Sequence, residues 1–185
     1  NPVITLNSVK SHPGVWNPVI DTMIMENSSA TEDEILWLLM DKVGRKAAKI
    51  LLPVYEKTNG EKGKLSLQVN PKYYRNAEAM FEQGKYLASL APNIAIKCPA
   101  LPAGIDAMEK LTSVGISVNA TVSFTVPQAV QVAEAIERGL SIAQKNGVDT
   151  SNITPYVTIM VGRIDDHLKR KKDAENIDVS SDIID

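Results

Sequence analysis

The spacing of apolar residues predicts a long helix in the first third of the chain. Between residues 35 and 51 apolar side chains recur every three or four positions, as on one buried face of a helix. Thr31 and Glu34 form a capping box in front of this segment, which predicts where the helix begins. Pro53 disfavours a helical Leu52, so the sequence predicts that the helix ends near residue 52.

Beyond this helix, short apolar segments alternate with helical ones. The predicted strands are LSLQV at 65–69, IAIK at 94–97, ISVNATVSF at 116–124 and YVTIMVG at 156–162. The predicted helices run from about 71 to 90, 103 to 115, 126 to 147 and from 164 onwards. Nearly continuous apolar strands separated by helices predict a parallel sheet. Because no glycine-rich phosphate loop follows a strand, the pattern favours a (β/α)8 barrel over an open nucleotide-binding sheet.

Composition limits the classes of protein to which the chain can belong. With 185 residues and 44% hydrophobic residues, it predicts one domain or part of one, which we take as a partial barrel over residues 1–185. A net charge of -2 gives no electrostatic basis for binding nucleic acid or an acidic membrane. A single cysteine, Cys98, fits a reducing cytoplasm, where we expect the protein to be. His12 and His167 lack metal-ligand spacing, so we expect no metal site.

Polar side chains interrupt the predicted strands. They are Gln68, Lys97, Asn119 with Thr121, and Thr158, and Arg163 follows the last strand. One buried polar residue is usually satisfied by the local backbone. In a parallel barrel, however, the carboxyl ends of all strands meet at one face, where catalytic groups collect. Polar groups in four successive strands therefore indicate a common site.

Lys97 is the most informative of these groups. Enclosure by apolar strands would disfavour its charged form and lower its pKa. A neutral amine attacks a carbonyl carbon, and the resulting Schiff base withdraws electrons from the adjacent carbon, which suits carbon–carbon bond chemistry on a keto sugar. The alternative is a lysine at a strand end whose ammonium group reaches solvent or an ion-pair partner.

Two segments, NIAIKCPALPAGIDAMEKL and GISVNATVSFTVPQAVQVAEA, closely resemble the transaldolase family. The opening NPVI and the later VGRIDD are similar to further family motifs, and the resemblance covers Asn1 to about Leu168. It implies a (β/α)8 barrel with a Schiff-base lysine on the fourth barrel strand, matched here by Lys97. It also implies sugar-phosphate substrates, no cofactor, and transfer of a dihydroxyacetone unit in the pentose phosphate pathway.

The same resemblance implies roles for five more residues. Asn119 matches the asparagine that contacts substrate hydroxyls, and Thr121 matches the threonine that helps to hold the catalytic water. Thr158 replaces a family serine and keeps its hydroxyl. Arg163 matches the phosphate-binding arginine, whose fork suits a pair of phosphate oxygens. Asn1 matches the asparagine of an Asn-Pro motif on the second barrel strand.

Two positions depart from the classical transaldolase pattern. Gln68 stands where classical members have glutamate, as in the fructose-6-phosphate aldolase branch; an amide orients water but cannot act as a general base. Met160 matches neither the phenylalanine of transaldolases nor the tyrosine of the aldolase branch. The resemblance therefore leaves two activities open: transfer of a dihydroxyacetone unit, or an aldol cleavage that releases it.

The extent of the match predicts that the chain is the central part of a longer barrel. A full barrel needs about 250 residues. If Asn1 ends the second barrel strand, the first strand and its acid–base aspartate precede the chain. The last two strands, with a second phosphate-contacting arginine, would then follow the segment IDVSSDIID at 177–185. A third alternative is thus an inactive fragment, whose open sheet we expect to form homo-oligomers or to self-associate.

Overall fold

A parallel four-stranded sheet organises the part of the chain that this computed structural model describes, residues 1–176. The strands are β1 (Leu65–Gln68), β2 (Ile94–Pro99), β3 (Val118–Ser123) and β4 (Tyr156–Ile159). The helices are α1 (Pro2–Ser11), α2 (Pro13–Glu26), α3 (Glu32–Lys57), α4 (Ala77–Ala88), α5 (Pro102–Ser113), α6 (Val126–Lys145) and α7 (Val161–Glu175). A 3-10 helix (Pro71–Tyr73) precedes α4. The segment at 177–185, with its predicted connection to further strands, lies outside the described residues.

The strands pair in chain order, β1-β2-β3-β4, and every pair is parallel. This confirms the sheet that the strand–helix alternation predicts. Within residues 1–176 the sheet does not close on itself, so β1 and β4 are its two edges. None of the helices in this range is long and apolar enough to pass through a bilayer.

Helix α3 begins as predicted but ends later. The Thr31 hydroxyl accepts a hydrogen bond from the Glu34 amide at 3.3 Å, and the Glu34 carboxylate accepts one from the Thr31 amide at 2.7 Å. The predicted end near residue 52 is wrong, because the helix continues through Pro53 to Lys57. Backbone hydrogen bonds from just beyond the helix hold its last turn. The amides of Thr58 and Gly60 donate to the carbonyls of residues 54 and 55.

The segment after β1 forms a short 3-10 helix and then a separate α-helix. The sequence predicts one helix from Pro71, whereas the structure has the short 3-10 helix and then α4. Asn70 caps the first through a bond from the Lys72 amide at 3.0 Å, and Asn76 caps the second through a bond from the Ala79 amide at 3.0 Å. Two asparagine caps in succession therefore divide the predicted helix.

One face of the sheet carries the main hydrophobic core. Helices α3, α4, α5 and α6 cover this face with fully or nearly fully buried side chains that include Ala48, Met80, Met108, Leu111 and Val132. Helices α5 and α6 approach closely at Gly139, where a Cβ atom would lie 1.9 Å from Oγ1 of Thr112. The opposite face carries the polar side chains of the strands.

Candidate active site

Lys97 lies between two carboxamides on the polar face of the sheet. The register pairs it with Gln68 on β1 and with Asn119 on β3. Paired residues of a parallel sheet point to the same face, and successive residues point to opposite faces. Cys98, which follows Lys97, is fully buried in the core, so Lys97 faces the other way. The Lys97 side chain is half-buried, next to both predicted neighbours.

Asn119 joins strands on either side of Lys97. Its Nδ2 donates a hydrogen bond to Oγ of Ser66 on β1 at 2.9 Å. Its Oδ1 accepts one from Oγ1 of Thr158 on β4 at 3.0 Å. We call this chain of hydrogen bonds between Ser66, Asn119 and Thr158 the amide bridge. Ser66 was not among the predicted site residues, although strand alternation puts it on the same face as Gln68, two residues later.

Asn1 connects helix α1 to the same face. Its Oδ1 caps α1 by accepting bonds from the amides of Val3 at 2.9 Å and Ile4 at 3.3 Å. Its Nδ2 donates to Oε1 of Gln68 at 2.9 Å, which orients the Gln68 carboxamide. Asn1 thus lies at the start of a helix in this structure and contacts the carboxyl end of β1.

Thr121 is 8% exposed and contacts the residue that departs from both family branches. Its hydroxyl donates to Sδ of Met160 at 3.7 Å, a distance suited to a sulfur acceptor. Met160 occupies the N-cap position of α7, so β4 ends at Ile159 rather than at residue 162 as predicted. The thioether sulfur therefore accepts the hydrogen bond that the Thr121 hydroxyl donates, and the lone pairs of the hydroxyl oxygen can accept a further bond.

A bulge in β3 directly follows Thr121. The pairing with β4 shifts between Ala120 and Ser123, and Val122 adopts a φ of 57°. A β-branched residue in this left-handed region is strained, so neighbouring contacts must hold it there. Gln128 provides them, because its Nε2 donates to the carbonyl oxygens of Val122 at 3.1 Å and Ala100 at 3.0 Å. Bulges of this kind redirect side chains near active sites.

Arg163 lies apart from the other predicted site residues. It is exposed in the first turn of α7, just beyond the carboxyl end of β4. Within residues 1–176 no hydrogen bond joins it to the six others. The structure therefore brings five of the predicted residues together by strand register or hydrogen bonds: Asn1, Gln68, Lys97, Asn119 and Thr158. Thr121 lies two positions after Asn119 on the same strand, and Arg163 lies apart at the rim.

A cavity of about 180 Å³ opens beside Gln68 and Thr121. Its remaining lining is mostly apolar and includes Pro99, Leu101 and Val122. The site as a whole offers an amine, carboxamides and hydroxyls, but the predicted residues include no carboxylate. Across residues 1–176 there is no group of three or more acidic, histidine or cysteine side chains placed to hold a metal ion. This set of groups suits condensation of the amine with a carbonyl whose hydroxyls are held by neutral hydrogen bonds.

Comparison with known proteins points to one family. The sequence model of a family described as Transaldolase/Fructose-6-phosphate aldolase matches residues 1–184. Transaldolase 1 of Streptomyces avermitilis is 33% identical over 173 residues, which are 92% of this chain and 45% of the relative. Transaldolase 2 of Streptomyces coelicolor is 32% identical over 180 residues, 96% of this chain and 48% of the relative.

A transaldolase of Trichodesmium erythraeum is 30% identical over 173 residues, 88% of this chain and 46% of that relative. The chain therefore spans about half the length of the curated relatives that it matches. The family match, by contrast, covers nearly every residue of the chain, from the Asn-Pro motif to the last helix and beyond. The chain belongs to the transaldolase/fructose-6-phosphate aldolase family.

Proposed function

We propose that the protein to which this chain belongs is a transaldolase, which transfers a dihydroxyacetone unit between sugar phosphates through a Schiff base on Lys97. One observation carries the proposal: Lys97 lies in register between Gln68 and Asn119 on the polar face of the sheet. The transaldolase names of the relatives support the same activity. In this function the enzyme acts in the pentose phosphate pathway.

The proposed reaction begins when the Lys97 amine attacks the keto carbon of the donor. Loss of water gives an iminium ion, which accepts the electron pair of the carbon–carbon bond as an aldose leaves. The resulting enamine attacks the acceptor aldehyde, and hydrolysis releases the new ketose. The predicted residues include no carboxylate, so the base that takes the proton from the donor hydroxyl lies outside this set.

The other predicted residues hold the substrate and water around this amine. Asn119 and Thr158 bind donor hydroxyls, while Thr121 and Gln68 position the water that forms and hydrolyses the imine. Asn1 keeps the Gln68 carboxamide in place through the 2.9 Å bond. Arg163 binds the phosphate, and its exposed place at the rim supports contact with the distant end of a sugar phosphate.

Trapping the imine tests the role of Lys97. The full-length protein is incubated with fructose 6-phosphate, reduced with borohydride and mapped by mass spectrometry. We expect one adduct, on the peptide that contains Lys97, and none in Lys97→Met. Lys110→Met is the matched control, because Lys110 is exposed and pairs with Glu78 on the helical side, so this variant should still form the adduct. An adduct on another lysine, or no adduct, would refute the assignment.

Gln68 favours a second candidate, aldol cleavage that releases dihydroxyacetone, since the aldolase branch also has glutamine at this position. The extended NPVI and KYYRN segments favour the transaldolase group. The two activities are separated by adding erythrose 4-phosphate together with fructose 6-phosphate. A transaldolase passes the three-carbon unit to the added aldehyde, whereas free dihydroxyacetone as the main product would identify the aldolase.

Location and assembly form the remaining part of the proposal. A cytoplasmic location is supported by sugar-phosphate chemistry and by a buried cysteine that remains a free thiol. Self-association of the isolated 185-residue chain is supported by its two sheet edges and by exposed apolar side chains such as Val3 and Ile4. We expect this chain alone to associate and to show little turnover. Sedimentation as a compact monomer with full activity would contradict both expectations.

A further inference from the structure

We propose that Ser66 is a positioning residue of the active site, which acts by fixing the carboxamide of Asn119 beside Lys97. This inference rests on the function proposed above, because it assumes that Asn119 binds the donor substrate. Ser66 has no role in the pattern from which the other site residues were predicted. Its assignment comes from the amide bridge, which links side chains from three different strands.

The two hydrogen bonds of the amide bridge hold Asn119 at both ends of its carboxamide. Ser66 accepts from Nδ2 at 2.9 Å and Thr158 donates to Oδ1 at 3.0 Å. A primary amide has two N–H donors and two acceptor lone pairs. One donor and one lone pair therefore remain for a ligand, and their direction is set by the two bonds already made. With only one bond, the carboxamide could turn about its terminal torsion, which is soft for asparagine.

The bond from Asn119 to Ser66 crosses the strand that carries Lys97. Ser66 is in register with Ala95 on β2, while Asn119 is in register with Lys97. Ala95 faces the same side as Lys97 two residues later, and its methyl group is fully buried. A larger side chain at this position would stand between β1 and β3 on the polar face. The small Ala95 thus leaves the space through which the Asn119 carboxamide reaches Ser66.

The amide bridge therefore prepares the binding position before the substrate arrives. An asparagine that is already held loses less side-chain entropy when the donor hydroxyl binds. Removing the Ser66 hydroxyl should weaken donor binding and leave the Lys97 amine itself in place. The acceptor aldehyde reacts after the donor has been cleaved, so its binding should depend much less on Ser66.

The first test compares Ser66→Ala, Ser66→Thr and Ser123→Ala in the full-length protein. We expect Ser66→Ala to raise the KM for fructose 6-phosphate by about three- to tenfold, the effect of one hydrogen bond. The KM for erythrose 4-phosphate should be nearly unchanged. Ser66→Thr keeps the hydroxyl and should restore the donor KM. Ser123→Ala is the matched control, since Ser123 is a buried strand serine whose hydroxyl has no hydrogen-bond partner within residues 1–176.

Two results of this test would overturn the inference. One is a donor KM in Ser66→Ala equal to that of the wild type. The other is an equal loss in Ser66→Ala and Ser66→Thr, which would show that the hydroxyl is not the group that matters. A rise of both KM values together would also overturn it, since this indicates a general disturbance of the sheet.

A second test asks whether Ser66 acts through Asn119. Ser66→Ala is combined with Asn119→Ala, and the donor KM of the double variant is compared with those of the single variants. We expect no further loss from Ser66→Ala once Asn119 is absent; additive losses would contradict the inference.

Borohydride trapping of wild type and Ser66→Ala separates this inference from the proposed function. No adduct on wild-type Lys97 refutes the function, whereas normal trapping with unchanged donor kinetics in Ser66→Ala refutes only the role of Ser66.

Discussion

Cys98 is adjacent to the proposed nucleophile, and its thiol lies on the opposite face of the sheet. The side chain is fully buried in the core, and burial raises the pKa of the thiol to about 12. The thiolate is the form that attacks thiol reagents, so we expect native protein to resist labelling at neutral pH and unfolded protein to label rapidly. Rapid labelling of Cys98 under native conditions, measured by mass spectrometry of the digested protein, would show that this part of β2 is accessible.

Asp41 on α3 provides a test of stability against pH. Burial raises the pKa of its carboxyl group above the usual 3.8, and this effect exceeds the opposing effects of the Tyr86 hydroxyl and of Arg45. The folded protein therefore binds the Asp41 proton more tightly than the unfolded chain does. As the pH rises above 3.8, ionisation of Asp41 lowers the free energy of unfolding. We expect the stability of Asp41→Asn relative to wild type to increase as the pH rises from about 3 to about 7.

Asp149 is the matched control for this pH experiment. Hydrogen bonds from Ser151 hold the pKa of the Asp149 carboxyl below its usual value. The effect of pH on stability therefore has the opposite sign, and Asp149→Asn should lose stability relative to wild type as the pH rises over the same range. Urea unfolding of the three proteins at both pH values measures the differences. Parallel pH dependence of the two variants would be the contradictory result.

At this scale, polar residues in successive parallel strands predicted part of the site, and the alternation of side chains along a strand could have added Ser66. Gln68, Lys97 and Asn119 were expected to lie together, and they do. Ser66 obeys the same alternation, but a hydroxyl in a strand is too common to be singled out without its partner. The bond between Asn1 and Gln68 joins residues 67 positions apart, and it depends on where α1 packs, which local periodicity does not determine.

Among the elements, the junction of β3 and α6 depends most on one side chain. Gln128 donates through Nε2 to the carbonyls of Ala100 and Val122, and its Oε1 accepts from the amides of Phe124 and Thr125. These bonds cap α6 and hold the strained bulge after Thr121. We expect Gln128→Ala to lower the free energy of unfolding by about 1 to 3 kcal/mol.

Gln128→Glu distinguishes the bonds that the Gln128 side chain accepts at the start of α6 from the bonds that it donates to the two carbonyls. A carboxylate can still accept from the amides at the start of α6, but it cannot donate to the two carbonyls. We expect this variant to remain less stable than wild type and to alter hydrogen exchange at the bulge, with urea unfolding and exchange as the measurements. Wild-type stability in Gln128→Glu would show that the bulge does not need these donors.

The beginning of α3 was easier to predict than its end. The Thr31–Glu34 capping box is a local signal, and it correctly marked the start of α3. Pro53 is a local signal too, yet it did not stop α3, because bonds from residues 58 and 60 hold the next turn. Likewise, β4 ends early because Met160 begins α7 instead of extending the strand. Ends that depend on contacts formed after folding cannot be derived from the neighbouring residues alone.

At the scale of the whole molecule, the fold class is confirmed. The parallel order of the sheet was predicted from the strand–helix alternation. The barrel was favoured first because no glycine-rich phosphate loop follows a strand, and then by the resemblance to the transaldolase family. The unclosed four-stranded sheet and the half-length match to the relatives both fit an incomplete (β/α)8 barrel. Alternation alone could not have distinguished this barrel from an open sheet, because both use the same local pattern.

Unequal burial of the strands predicts unequal protection of their amides. β2 and β3 are paired on both sides, whereas β1 and β4 are the edges of the described sheet, and α7 has no buried residue. In the isolated chain we expect amide exchange to be slowest in β2 and β3, faster in the edge strands and fastest in α7. Hydrogen exchange with mass spectrometry measures this order. Protection of α7 equal to that of β2 would mean that another surface covers this helix.

The amide bridge and Arg163 differ in one physical respect that has a consequence for substrate capture. Serine, asparagine and threonine carry no formal charge, while the guanidinium at the rim is cationic and exposed to solvent. Mobile ions screen exposed charges over about 8 Å at physiological ionic strength, but they scarcely affect neutral dipoles in contact. Under the proposed function, added salt should therefore weaken the attraction of a phosphorylated sugar to the rim, while the hydrogen bonds to its hydroxyl groups stay the same.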